Sequence, residues 1–546
     1  MKKILSLVLA VMLVLSLTPA ITFADEAPTK ITWFVNVPSF SFNSEGWGVD
    51  RMTREFQDRF GIEIEFVTAA DDSGSQLATL ITSDSVPDII TLPGLWSATD
   101  TNLIRQMAEA EMLLSYNELI EKYVPEEEKA GFRSDVLAWY ALADGKTYAY
   151  PNYAYSTDDL PEGSGLVPNR CIVVRADMME QLGNPSMESP ADFLDVCERA
   201  VKELGTYDGL PVIGMQLYEG GNEAVDIVSQ YFAVPWETED GQAYNAFASG
   251  ANKEVYAFLN EAYRRGLVLE ANYSDTRDQV REKIASGRVF ALIAAPQDFA
   301  NEFTTLYQQD NNAYYVPVTL RNAAGDDPVL GDISGWGYLQ TVISASCKDP
   351  EKVIKFISYL VNDEGAIHLN KGWEGEHWNY NDDGTISRTQ AYIDAVNADP
   401  TYNKKEGISC FDLFANWAFL MQFEPKLDLE NPDDLKVYRT ADTYIKQPMA
   451  IYSHRPAQYK YDPNDDRALA VNEEQVKLKS YMTIAEAELL TASTAEAFEA
   501  KYAEIQQALP TVYNMELVLA YTNDALQAGK AQLGVKFFWP PYADAE

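Results

Sequence analysis

The side chains in this sequence best suited to gripping another molecule are aromatic residues at the ends of apolar runs and beside turn residues. Trp33, Phe34 and Asn36 close the run at 30–36, Trp47 stands in a loop rich in Ser, Gly and aromatics, and Trp96 follows Pro93-Gly94. Tyr153 and Tyr155 come just after Pro151-Asn152, while Tyr231 and Trp236 bracket Phe-Ala-Val-Pro. Trp336 lies between Gly335 and Gly337, and Trp373 follows Gly372; such glycines permit close backbone approach. A flat ring offers a platform for the apolar face of a ligand, and carboxylates and amides such as Asp88, Glu374 and Asn36 suit a hydroxyl-bearing rim. With 10 Trp, 32 Tyr and 23 Phe in the chain, many rings must instead be core.

Other chemistry is poorly supplied. The three histidines, His368, His377 and His454, are too few and too scattered for a multi-histidine metal site or a histidine-based hydrolytic triad. Cys171, Cys197, Cys347 and Cys410 form no Cys-x-x-Cys pair, and their spacing suits buried thiols at least as well as disulfides. Asn379, Asn381, Asp383 and Gly384 begin like a calcium loop, but the twelfth position is Gln390 rather than Glu, and a hairpin turn accounts for them better. No catalytic residue, metal ligand or cofactor is assigned. A formal net charge of -41 repels a polyphosphate backbone and excludes nucleic acid as a main partner. Polyanionic ligands are disfavoured unless a local basic pocket exists, whereas neutral ones are indifferent to the field.

These residues must be held by larger elements. Lys2 and Lys3, the apolar run 4–17 and the small-residue exit at Ala24 describe a cleavable export signal over 1–24, so Asp25 is expected to start a secreted, extracellular or periplasmic protein. The apolar run is shorter than the roughly 20 residues that span a bilayer, and no cysteine precedes Cys171 to carry a lipid. Beyond it, strand-like segments at 30–36, 62–67 and 87–92 alternate with helical ones at 49–60 and 76–82, the pattern of a mostly parallel α/β sheet. The alternation returns at 170–174, 191–204, 211–216 and 252–265, which implies a second α/β lobe. The chain is expected to cross between lobes after Pro151-Asn152, and the apolar run 289–295 to return to the first lobe. Asp349 and Pro350 start a helix with the stripe Val353, Phe356, Ile357 and Leu360, and 474–530 is expected to be mostly helical.

The order of these segments resembles the large solute-binding proteins of bacterial ABC importers, in the class that captures sugars and oligosaccharides. The resemblance rests on the export signal, the opening strand-loop-helix, Ser83-Asp-Ser-Val-Pro-Asp-Ile89, Asp144-Gly-Lys-Thr-Tyr148, Lys348-Asp-Pro-Glu-Lys352 running into Asn362-Asp-Glu-Gly365, and Gly372-Trp-Glu-Gly-Glu-His-Trp378. It implies a two-lobed, periplasmic-binding-protein-like fold with a helical C-terminal region. Lobe 1 would comprise 25–152 plus about 293–340, and lobe 2 would comprise 153–292 plus about 341–546. It further implies a monomer that closes on an oligosaccharide, performs no bond chemistry, and reaches the membrane only through the permease subunits that receive the ligand. Family members place ligand contacts near the segment holding Tyr231 and Trp236. Two departures matter: the usual calcium loop is reduced here to Leu204-Gly-Thr-Tyr-Asp208-Gly-Leu-Pro211, and the lipid-attachment cysteine is missing. The rivals are a secreted carbohydrate-active enzyme, which would need a pair of carboxylates, and a surface sensor or adhesion protein using the same clamp.

Overall fold

The computed structural model describes residues 27–539 except 39, 71–73, 84, 94–97, 155–169, 219–221, 332–336, 416–419, 421, 424–429, 433–434, 436–458 and 463–464. Two main sheets organise the chain. Their strands are β1 (Thr29–Val35), β2 (Ile62–Thr68), β3 (Ile89–Leu92), β4 (Ala149–Pro151), β5 (Cys171–Arg175), β6 (Ile213–Leu217), β7 (Val289–Ala294), β8 (Tyr315–Pro317) and β9 (Gln340–Ile343). The first sheet has the order β2-β1-β3-β9-β4, and the second β8-β5-β7-β6. In the first, β1 runs parallel to β2 and β3, and only β9 is reversed. In the second, β6 and β7 run parallel and only β5 opposes its neighbours.

Local chemistry sets these elements. Asp50 caps the helix Arg51–Phe60 by accepting from the Thr53 N–H, and Gly61 ends it in the left-handed region at φ 62°. Asp349 caps Pro350–Val361 with Pro350 at the first helical position, as the sequence led one to expect. Along β1 the side chains alternate between two cores. Ile31, Trp33 and Val35 join Phe356, Tyr359 and Phe411 on one face, while Phe34 meets Ile90, Met107 and Val342 on the other. The second sheet forms its own core with the three long helices Ala468–Leu490, Ala495–Val512 and Met515–Leu533, through Val471, Tyr502, Leu509 and Tyr521. The four cysteines are buried as thiols.

Strand pairing corrects the expected lobe boundaries. The run 289–295 does not return to the first lobe: β7 lies between β5 and β6, and β8 pairs with β5. The chain regains the first sheet only at β9, and the following helix Pro350–Val361 and the loop through Phe414 pack in the first sheet's core, not the second's. An apolar run announces a buried strand, but both sheets bury such strands on two faces, so the run alone does not say which sheet takes it. β4 ends at Pro151 in the first sheet, and the next strand, β5, lies in the second. The turn at Asn381–Gly384 joins an antiparallel pair, Trp378–Tyr380 with Ile386–Arg388, and Asp208-Gly209 joins another small ladder.

Candidate functional site

Strand direction decides which edges of the two sheets meet. β4 ends at Pro151, on the edge where β1 and β3 also end, and the chain then enters the second sheet as its one reversed strand, β5. Later β8 ends on the edge where β6 and β7 end, and the chain re-enters the first sheet as that sheet's one reversed strand, β9. A chain leaving one sheet at its carboxyl edge and entering the other at its carboxyl edge must run backwards there. Both crossings obey this rule, so the carboxyl edges flank the crossings, and the crevice beyond such edges is the usual ligand position in open α/β sheets.

Asn152 joins the two crossings. It is 2% exposed, its side-chain amide donates to the Leu413 carbonyl at 3.0 Å, and its Oδ1 accepts from the Tyr338 and Leu339 N–H groups at 3.1 and 3.2 Å. Gly337 sits against it at φ 65°, where an added Cβ would lie 2.2 Å from Asn152 Oδ1. Beside it on the first edge stand half-buried Asn36, Tyr140 and Tyr153. Burial raises the Tyr140 hydroxyl, which is also hydrogen-bonded to Gln340 and faces Tyr153.

The second edge carries charge. Tyr218, immediately after β6, donates its hydroxyl to Asp298, four residues beyond β7. Arg277 lies 3.6 Å from Asp298 and 5.4 Å from the Tyr218 ring. Thr276 caps the helix that begins at Arg277. Arg170, just before β5, pairs with Asp226 at 3.0 Å and Glu223 at 3.3 Å. Burial raises the Glu223 carboxyl, Arg170 opposes that rise, and Asp226 and Asp298 add to it, so these groups share one field. Gln230, on the same helix as Glu223 and Asp226, donates to Asp226 at 3.0 Å and accepts from the Gly331 N–H at 2.7 Å, which ties the second crossing to this edge.

Tyr338 links the halves. It follows Gly337 beside Asn152, yet its hydroxyl is pushed up to about 12 by burial and then by Asp298, with Arg277 opposing. The loop of Phe411 and Phe414, stacked near Trp33, supplies Asp412. Asp412 is exposed, while desolvation by the surrounding loop raises its carboxyl to about 7 with Ser409 opposing through a hydrogen bond.

Of the eleven residues expected from sequence to touch a ligand, two, Trp96 and Trp336, lie outside the described residues, as does Tyr155. Asn36 and Tyr153 stand on the first carboxyl edge. Three are interior. Trp33 is 1% exposed, packs on Phe414 at 4.4 Å and donates its Nε1–H to Thr91; Tyr231 is fully buried and its hydroxyl accepts from the Ile172 N–H. Asp88 is 4% exposed and sits at the amino end of β3, away from the carboxyl edge, where it accepts from the Thr32 and Lys348 N–H groups and pairs with Lys348 Nζ. Trp47 donates to the Ile62 carbonyl at the amino end of β2. Trp373 donates to Glu55 under the Arg51 guanidinium, 3.7 Å from the ring, with Glu374 exposed beside it. Trp236 meets Trp539 edge-on at 5.4 Å.

Sequence reasoning passed over Arg170, Tyr218, Glu223, Arg277, Asp298 and Asp412. Tyr218 and Arg170 abut strands, and Pro296-Gln-Asp298 follows one, but their value depends on strand direction, which hydrophobic pattern does not report. Among the described residues no group of three or more His, Cys, Asp or Glu is placed to hold a metal ion, and no helix is long and apolar enough to cross a membrane.

Known proteins agree with this architecture. The structure is similar to the alginate-binding protein AlgQ2 solved without calcium, with a TM-score of 0.61 and 14% identity over 92% of this chain and 98% of that one. It is similar to the ABC-transporter substrate-binding protein FusA of S. pneumoniae in complex with kestose, with a TM-score of 0.65 and 12% identity over 92% and 100%. A human-milk-oligosaccharide (HMO) binding solute-binding protein associated with an ABC transporter of Bifidobacterium longum infantis aligns with a TM-score of 0.61 and 11% identity over 91% and 99%. At these identities the likeness carries the two-lobed fold alone. No curated protein matched the sequence. The model of the bacterial extracellular solute-binding proteins, by contrast, matches residues 48–367, more than half of the chain, and the protein therefore belongs to that family.

Proposed function

We propose that the protein is exported, captures an oligosaccharide between its two carboxyl edges, and delivers it to the permease of an ABC importer. The observation that carries the reading is the pairing of unlike edges in a member of this family. The first edge carries rings and amides at Asn36, Tyr140, Tyr153 and Tyr338, the second carries Arg170, Glu223, Arg277 and Asp298, and Tyr338 senses Asp298 and Arg277. A sugar has an apolar C–H face that suits rings and a hydroxyl rim that suits guanidinium donors and carboxylate acceptors. Closure of two lobes lets both sets act at once, which ties capture to a shape a transporter recognises. Three of the structural relatives are named for saccharides: alginate for one, kestose for another, human milk oligosaccharides for the third. The mature chain starts at Asp25, acts as a monomer, and binds without cleaving.

The test uses the mature protein with saccharide, peptide and polyamine panels, followed by melting temperature and tryptophan emission. A true ligand at 100 times its Kd adds about 2.7 kcal/mol of stability. Saccharides recovered intact after long incubation support a binder, and shortened ones favour an enzyme. A response to peptides alone would sink the saccharide assignment.

A further inference from the structure

The charged groups of the second edge are not arranged as a free basic pocket. Arg170 is held by two carboxylates, Glu223 at 3.3 Å and Asp226 at 3.0 Å. Arg277 stands 3.6 Å from Asp298, which also binds the Tyr218 hydroxyl. Among the described residues named at this site, three carboxylates therefore accompany two guanidiniums, inside a chain whose formal charge is already -41.

We propose that the site selects saccharides without carboxylates and rejects uronates, because Glu223, Asp226 and Asp298 outnumber Arg170 and Arg277 and already engage their charge. The inference rests on the saccharide reading and sharpens it. A ligand carboxylate gains most from a bidentate grip by a guanidinium, and here it would have to displace an Asp or Glu to obtain one. Left in place, that Asp or Glu repels it at short range in a partly desolvated space. Neutral hydroxyls meet neither obstacle, since paired guanidinium N–H groups and carboxylate oxygens still donate to them and accept from them. An ammonium-bearing amino sugar is admitted too, its charge matching the surplus carboxylates.

Isothermal titration of the full mature chain against tetramers of glucose, mannose, fructose and glucosamine, beside mannuronate and galacturonate tetramers, decides the matter at low and at high salt. Uronates are expected to bind at least about tenfold more weakly than the best neutral or amino tetramer at low salt. High salt should narrow the gap by screening. The double variant Glu223→Gln/Asp226→Asn, which releases Arg170, should gain roughly tenfold for uronates. Uronates binding the wild type as tightly as the best neutral or amino tetramer would overturn the inference and leave the saccharide reading intact. So would a folded double variant that gains nothing for them. If no tetramer of either class binds, the saccharide reading itself falls and takes this inference with it. Should the double variant not fold, the wild-type comparison at two salt concentrations still decides.

Discussion

At the first sheet's carboxyl edge stand Asn36, Tyr140, Asn152 and Tyr153, of which Asn152 is tied to the Leu413 carbonyl and two backbone N–H groups and Tyr140 to Gln340. At the second sheet's edge they are Arg170, Glu223, Asp226, Arg277 and Asp298, held chiefly by one another at helix starts and loops. The first edge is therefore part of the fold, while the second is a network laid over a finished core. Changes on the first side should damage stability and binding together, and changes on the second should separate them.

The strongest test of that asymmetry is Trp33→Ala. The ring is 1% exposed, lies against Phe414 at 4.4 Å and Phe66 at 5.4 Å, and its N–H is bound by Thr91. Its loss should cost about 3–5 kcal/mol, as for other buried aromatic-to-alanine changes. The denaturation midpoint in urea checks this, and a protein of unchanged stability that has lost ligand binding would show instead that the ring faces the ligand.

Asn152→Ala comes next. Removing this amide strands the partly buried Leu413 carbonyl and Tyr338 N–H and the buried Leu339 N–H. A buried polar group left unpaired costs about 1–3 kcal/mol, and water entering the gap recovers part of the sum, so about 2–4 kcal/mol is expected. Because both crossings meet here, ligand affinity should fall in the same variant. Calorimetric melting with and without ligand measures both, and a loss of one without the other would break the proposed coupling.

How much of this was legible beforehand depended on whether the signal was local. The helix at Pro350 was readable because Asp349, Pro350 and the apolar stripe are consecutive, and they behave as such residues do. The strands were readable from apolar runs. What those runs lack is direction and partner, so they do not say that β7 belongs to the second sheet or that Asp88, a candidate ligand partner, stands at the amino end of β3. Trp33 and Tyr231 were singled out for lying near strand and helix ends. In β1, however, alternate residues face opposite sides, and the Trp33 position points into the core rather than past the edge. Arg170 and Arg277 are more than a hundred residues apart in sequence, and only the sheet order brings them to one field.

On the second edge, Asp298→Asn should act on binding. The amide is the same shape as the carboxylate and can still accept from Tyr218, but it no longer holds the Arg277 charge. With an ion pair this exposed, stability should move by less than about 1 kcal/mol. Loss of a charged partner to a ligand hydroxyl should cost about 1.5–3 kcal/mol in affinity, roughly tenfold to a hundredfold. Titration calorimetry beside a melting curve separates the two, and equal losses in both would erase the contrast between the edges.

The smallest effect belongs to Asp412, on the loop that meets Asn152 through the Leu413 carbonyl. Its carboxyl is raised by desolvation to about 7, whereas the unfolded chain ionises it near 3.8. Between those values the folded state holds the proton more often than the unfolded state does, so this group makes stability fall as pH rises through that window and level off above about 7. Asp412→Asn removes the titration while keeping the shape, and its stability profile should be flatter than the wild type's from pH 5 to pH 8. Because solvent still touches the side chain, screening reduces the difference, and its direction rather than its size is the test. Urea midpoints for the two proteins, compared pH by pH, cancel the contribution of every other group. Parallel profiles would mean that Asp412 is open to bulk water like any surface carboxylate.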